Sequence, residues 1–186
     1  MDFKDILPFI TFFLGIFLTP YIETRKEKAK IKSLKKNILI ELEDERLLLE
    51  RTIKITSDSI ETRKKHHKKH KHISLGKRFT PILLSKYIDD VYSDFNQDTR
   101  KILKNILSLS DIIKEKYDFV CENWNSDNLE CQVKEESMLY SMLSVYYALN
   151  QLKNEGDRFC LQDLSNDEVV ERAAKALQIP TPFKAP

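Results

Sequence analysis

The sequence predicts an all-α protein: a single N-terminal transmembrane helix, a long basic helix behind it, and a cytoplasmic helical bundle. Three observations carry this expectation. Residues Ile6 to Ile22 form a run of 17 without a charge, 12 of them Ile, Leu, Phe or Tyr. Only three glycines occur in 186 residues, fewer than tight hairpins or phosphate-cradling loops require. Beyond the run, apolar residues recur at steps of three, four and seven, the spacing of one helix face.

The predicted anchor occupies residues 1–22, with its membrane surface made by Ile6, Leu7, Phe9, Ile10, Phe12, Phe13, Leu14, Ile16, Phe17, Leu18, Tyr21 and Ile22. As a helix this run measures about 25 Å, slightly under a hydrocarbon core of roughly 30 Å. Phe3 extends it, Lys4 can snorkel outward, and Tyr21 sits where an interfacial aromatic belongs. A soluble core helix would be amphipathic, whereas here every face is apolar. Pro8 falls in the first turn and Pro20 in the last, where proline is tolerated. The flanks, Met-Asp-Phe-Lys-Asp and Thr-Pro-Tyr-Ile-Glu, lack the basic start and small-residue site of a cleaved signal peptide.

Residues 23–62 read as a long basic juxtamembrane helix. Arg25, Lys26, Lys28, Lys30, Lys32, Lys35 and Lys36 crowd the side behind the run, against Glu23 and Glu27, while Lys4 faces Asp2 and Asp5 ahead of it. The positive-inside rule then puts the N-terminus outside and the rest of the chain in the cytoplasm, at the inner face of a cell membrane. The same cations adjoin anionic headgroups, at on the order of 1 kcal/mol each. Ile31, Leu34, Ile38, Leu42, Leu49, Ile53 and Ile60 form the expected buried face, with Ile40, Leu47 and Leu48 beside them. Glu45 and Thr52 fall on that seam, which favours packing in a bundle over a dedicated coiled coil. A bend is expected at Pro20, and Thr56-Ser57-Asp58-Ser59 is a candidate break.

Residues 63–79 form a Lys/His-rich connector, and residues 80–178 a helical bundle that packs with part of residues 31–60. Thr80 as N-cap and Pro81 as first helical residue are expected to open a helix carrying Leu84, Ile88, Val91 and Phe95. Asn96 is expected to cap the next, whose Ile102, Ile106, Leu109, Ile113, Tyr117, Val120 and Trp124 alternate steps of four and three. Asn125 to Asn128 is a stop and restart. The following helix, from about Leu129 to Lys153, carries Leu139, Met142, Leu143, Tyr146, Leu149 and Leu152, with Gly156 beyond its end. Ser165 and Glu168 have the spacing of a capping box ahead of a last helix. Residues 179–186 are expected to be a flexible tail.

Charge is unevenly placed. Residues 24–72 carry 16 Lys and Arg against 8 Asp and Glu, a net of +8, whereas residues 73–186 carry 14 against 18, a net of −4. All four histidines lie in the basic connector, where Lys64, Lys65, His66, His67, Lys68, Lys69, His70, Lys71 and His72 make a candidate contact for an anionic lipid, nucleic acid or acidic partner. In a helix, His66 and His70 would share a face as weak metal candidates, but the surrounding lysines repel a dication. On a straight upright helix His66 would stand about 65 Å from the bilayer, far beyond a Debye length of about 8 Å. The solvated-linker reading of this cluster is the simpler one.

No catalytic residue, metal or cofactor is predicted. Dinucleotide and Walker loops are absent, and the histidines sit in a charged linker unsuited to a triad. Asp89, Asp90, Asp94 and Asp98 read as an acidic exposed face, and Cys121, Cys131 and Cys160 as free thiols. Tyr140, Tyr146 and Tyr147 widen the apolar surface of the fourth helix beyond one stripe; core is the plain reading and a partner surface the functional one. The expected function is a single-pass, membrane-anchored interaction or scaffold protein of bacterial type, holding a partner or a second copy at the membrane. The alternatives are a self-associating, membrane-perturbing effector and a membrane-tethered nucleic-acid binder.

Overall fold

The structure, a computed structural model, describes the backbone of residues 3–65, 74–124, 129–156 and 159–182, and side chains from Phe12 onward. Among the described residues every regular element is a helix and there is no strand. The elements are α1 (Phe3–Lys65), α2 (Ile82–Val91), a 3₁₀ turn (Tyr92–Asp94), α3 (Gln97–Asn123), α4 (Leu129–Glu155) and α5 (Asn166–Leu177). Among the described residues no helix is long and apolar enough to cross a membrane. Phe12 to Ile22 alone measures about 16 Å, and the side chains of Ile6, Leu7, Phe9 and Ile10 lie outside the described residues.

Helix α1 is continuous from Phe3 to Lys65, without the candidate break at Thr56 to Ser59. Next to the proline, the Thr24 hydroxyl donates to the Pro20 carbonyl at 2.8 Å and that of Thr19 to Gly15 at 2.7 Å. Thr56, Ser57 and Ser59 are buried, and the Ser59 hydroxyl donates to Glu135 of α4 at 2.6 Å. The predicted face is confirmed over Ile38, Leu42, Leu49, Ile53 and Ile60, all buried, while Ile40, Leu47 and Leu48 stand exposed on the other side.

Helix α4 is the centre. It buries residues on every side, from Cys131 and Met138 through Met142, Leu143, Tyr146 and Leu152, and it contacts α1, α3 and α5. The burial of α3 follows the expected spacing at Ile102, Ile106, Ile113 and Val120, but Trp124 is left exposed at its end. Asn96 caps α3 by accepting the Thr99 amide at 2.7 Å. The capping box of α5 is present in both directions between Ser165 and Glu168. Gly156 has φ +55° just past α4, a left-handed turn that glycine adopts without strain. Ile179 packs partly buried against the core, which holds the start of the tail.

The beginning of α2 departs from expectation. Pro81, not Thr80, occupies the cap and makes no side-chain cap bond. Instead the Glu41 carboxylate, from α1, accepts the amides of Leu83 at 2.7 Å and Leu84 at 2.9 Å, and Glu45 accepts that of Thr80 at 3.3 Å. A carboxylate there satisfies orphan donors and meets the positive end of the helix dipole. Local spacing could not reveal a cap supplied from 42 residues away.

The strand of chain entering α2 lies directly on α1. A Cβ at Gly76 would sit 2.6 Å from Thr52 Cγ2 and 2.8 Å from Thr52 Cα. The Thr52 hydroxyl donates to the Lys77 carbonyl at 3.1 Å, and Tyr117 donates to that of Gly76 at 2.9 Å. Gly76→Ala is therefore expected to cost about 1–3 kcal/mol by overpacking, read as a lower urea midpoint with an unchanged slope.

Candidate functional site

The feature that separates this chain from an ordinary helical bundle is the free end of α1. Phe12, Phe13, Leu14, Ile16, Phe17, Leu18, Tyr21 and Ile22 are all exposed, Phe17 to 72%. At about 100° per residue these eight positions encircle the helix, so the apolar surface has no polar side. Ile31 and Leu34 are the first residues to reach the core, about 14 Å along the axis from Ile22. The bundle therefore cannot cover the apolar end.

The cations behind it stay in solvent with one exception. Arg25, Lys26, Lys28, Lys30, Lys32 and Lys36 are exposed, and the Arg25 guanidinium lies 4.8 Å from the centre of the Tyr21 ring. Lys35 is turned onto the bundle: its ammonium lies 4.9 Å over Phe95 and donates to the Asp94 carbonyl at 3.2 Å. Of the predicted headgroup set, this residue alone contacts the turn that follows α2.

At the far end of α1 the sequence missed a buried polar junction. Glu135 is fully buried and accepts the Ser59 hydroxyl at 2.6 Å and Arg63 Nε at 2.9 Å; Arg63 Nη2 donates to the Trp124 carbonyl at 2.8 Å. Burial pushes the Glu135 carboxyl up, against the opposing pull of Ser59 and Arg63. Lys64 pairs with Glu136 at 2.8 Å and Lys65 with Glu61 at 2.9 Å. The first cations of the predicted anionic-partner cluster thus make contacts inside the chain. His66, His67, Lys68, Lys69, His70, Lys71 and His72, the weak metal pair included, lie outside the described residues. Among the described residues no group of His, Cys, Asp or Glu is arranged to hold a metal ion.

A second ion-pair belt joins α1 to α4. Arg46, buried, forks onto Glu43 at 2.9 and 3.0 Å, and Lys153 reaches Glu43 at 2.8 Å. The bond from Arg46, with help from Lys153, holds the Glu43 carboxyl down to about 2. Tyr146 lies buried beside this belt, with the Arg46 guanidinium 6.0 Å from its ring centre. Tyr140 donates to Asp167 at 2.6 Å and Tyr147 to Gln162 at 3.1 Å. All three tyrosines of the candidate partner surface therefore make contacts within the chain, Tyr146 with α1 and Tyr140 and Tyr147 with α5 and the segment before it. Burial, and then the Asp167 bond, push the Tyr140 phenol up to about 12.

Asp89, Asp90 and Asp94 are exposed as expected, and Asp98 accepts the Leu161 amide at 3.2 Å. Cys131 is buried, Cys121 half-buried and Cys160 exposed, all as free thiols. Compared with known proteins, the chain matches no family model, no curated protein and no solved structure.

The two carboxylates respond oppositely to pH. The folded chain holds the Glu135 proton more tightly than the unfolded chain, so this group's contribution to stability falls as pH rises from the ordinary carboxylate value through its raised one. Glu43 is the reverse: its contribution is present above the ordinary value and lost as pH falls toward about 2. In urea titrations across pH, Glu43→Gln is expected to flatten the loss of stability on the acid side. Glu135→Ala strands the Arg63 guanidinium and is expected to cost about 3–5 kcal/mol, measured at neutral pH against Arg63→Ala and the double variant.

Proposed function

We propose that this chain is a single-pass, membrane-anchored interaction module. Its helical bundle lies at the cytoplasmic face of a bacterial-type cell membrane and holds a protein partner or a second copy there. One observation carries the reading: the exposed apolar residues from Phe12 to Ile22 encircle the helix and lie beyond the reach of the bundle. A protein groove covers one face of a helix; a bilayer covers all of them. Covering eight such side chains is favourable by on the order of 10 kcal/mol, enough to hold the chain at a membrane. The uncharged run continues from Phe12 back to Ile6, which brings the length close to a hydrocarbon core.

The cations support the orientation. Six exposed Lys and Arg between Arg25 and Lys36 follow the apolar end, and this asymmetry favours the bundle on the cytoplasmic side. Arg25 stacked on Tyr21 is the pairing expected at an interface, where a ring and a cation share the headgroup layer. On this reading the end of α1 at Lys65 stands about 65 Å from the membrane along a straight helix, and the intrachain pairs of Lys64 and Lys65 need no lipid.

The chain is expected to stay with membranes through an alkaline carbonate wash, and a C-terminal reporter to be active only as a cytoplasmic fusion. Phe13→Lys together with Phe17→Lys adds on the order of 3 kcal/mol per site to insertion and is expected to release the protein with its bundle folded. Recovery of the unaltered chain in the soluble fraction would overturn the anchor.

A further inference from the structure

The bundle occupies one side of α1 and leaves the opposite side bare. At about 100° per residue, Ile38, Leu42, Leu49, Ile53 and Ile60 fall on one line, and Ile22, Ala29, Ser33, Ile40 and Leu47 fall on another roughly half a turn away. Burial follows this division: the first set is at most 5% exposed from Ile38 to Ile60, whereas Ile22, Ile40 and Leu47 are 47–49% exposed. The bare line also passes through Gly15, where a Cβ would meet nothing within 4 Å. It is therefore one face that begins in the apolar end and continues without interruption beside the bundle.

We infer that a second copy of this chain covers this face, the two α1 helices lying side by side in the same direction; the inference rests on the membrane-anchor reading. Continuity selects the occupant. Whatever covers the whole line must itself pass from the apolar layer into water as a helix in matching register, and another α1 does so by construction. Two copies anchored with the same orientation are parallel before they meet, so like residues face like. Ile40 then meets Ile40 and Leu47 meets Leu47, seven residues apart as in a paired-helix seam, while Ala29 and Ser33 leave room for close approach.

Extent is sufficient. A strip about 10 Å wide over roughly 50 Å of helix from Gly15 to Leu48 covers on the order of 500 Å² per copy, or about 1,000 Å² in all, the lower bound for a specific interface. Lys26, Lys36, Asp44 and Arg51 fall near the same line and would face their own copies, which weakens pairing in free solution. Confinement to one membrane raises the effective concentration and offsets that penalty.

The test is disulfide trapping in native membranes, with Cys160, the exposed thiol, and Cys121, the half-buried one, replaced by serine so that only the buried Cys131 remains of the native three. Single cysteines at Ile40 and Leu47 are compared with one at Lys32, which is exposed but lies about a quarter turn off the line. Ile40→Cys and Leu47→Cys are expected to give a dimer as the main species under mild oxidation, and Lys32→Cys only background. In parallel, Leu47→Lys in the otherwise unaltered chain is expected to weaken the detergent-solubilised dimer by roughly tenfold or more, with circular dichroism unchanged. Equal trapping at all three positions, or none at any while the chain remains in the membrane, overturns the pairing and leaves the anchor standing. A native mass showing a foreign protein in place of the second copy also overturns it. A chain recovered in the soluble fraction overturns the anchor itself, and the pairing with it.

Discussion

A helix buried on every side has to be enclosed, and the middle of α4 is such a helix. Met138, Leu139, Met142, Leu143, Val145 and Tyr146 are separated only by Tyr140, Ser141 and Ser144, and all six are buried. Burying side chains of this size is favourable by about 1.5–3 kcal/mol each, so the arrangement of the remaining helices answers to α4. Helices α1, α3 and α5 each supply one wall. The polar groups drawn into that enclosure, Glu135 above all, are tolerated because Ser59 and Arg63 meet them from α1.

The wall supplied by α1 is the unusual one, because the same helix stands clear of the bundle from Phe12 to Ile22 and lines the core from Ile38 to Ile60. Its apolar residues change role with position. Between Phe12 and Ile22 they surround the helix; from Ile38 to Ile60 they retreat to one side. Nothing interrupts the backbone between these regimes. The junction with α2 strengthens the union, since Glu41 and Lys35 of α1 hold the two ends of the α2 segment through its first amides and the Asp94 carbonyl.

What the sequence made legible was whatever local spacing encodes. The steps of three and four identified the buried faces of α1, α2 and α3, and the Asn96 cap and the Ser165–Glu168 box are bonds between residues three apart. Three kinds of feature stayed out of reach. Glu41 at the start of α2 and Arg63 on Glu135 join residues more than forty positions apart, and no periodicity reports such a meeting. Thr56 to Ser59 looked like a break because polar residues compete locally for backbone groups, yet tertiary burial against α4 overrode that tendency. The tyrosines of α4 signalled apolar width correctly, but width alone does not say whether the cover comes from α5 or from another molecule.

An unbroken α1 also ties together two quantities that a flexible linker would leave independent. In a helix, translation and rotation are geared: each residue advances the axis by about 1.5 Å and turns it by about 100°. The distance between the apolar end and the bundle and the compass bearing at which the bundle hangs from that end are consequently one variable. Evolution cannot lengthen this stalk by a single residue without swinging the bundle to a new azimuth, whereas steps of about 7, 11 or 18 residues, each close to a whole number of revolutions, nearly restore the original heading.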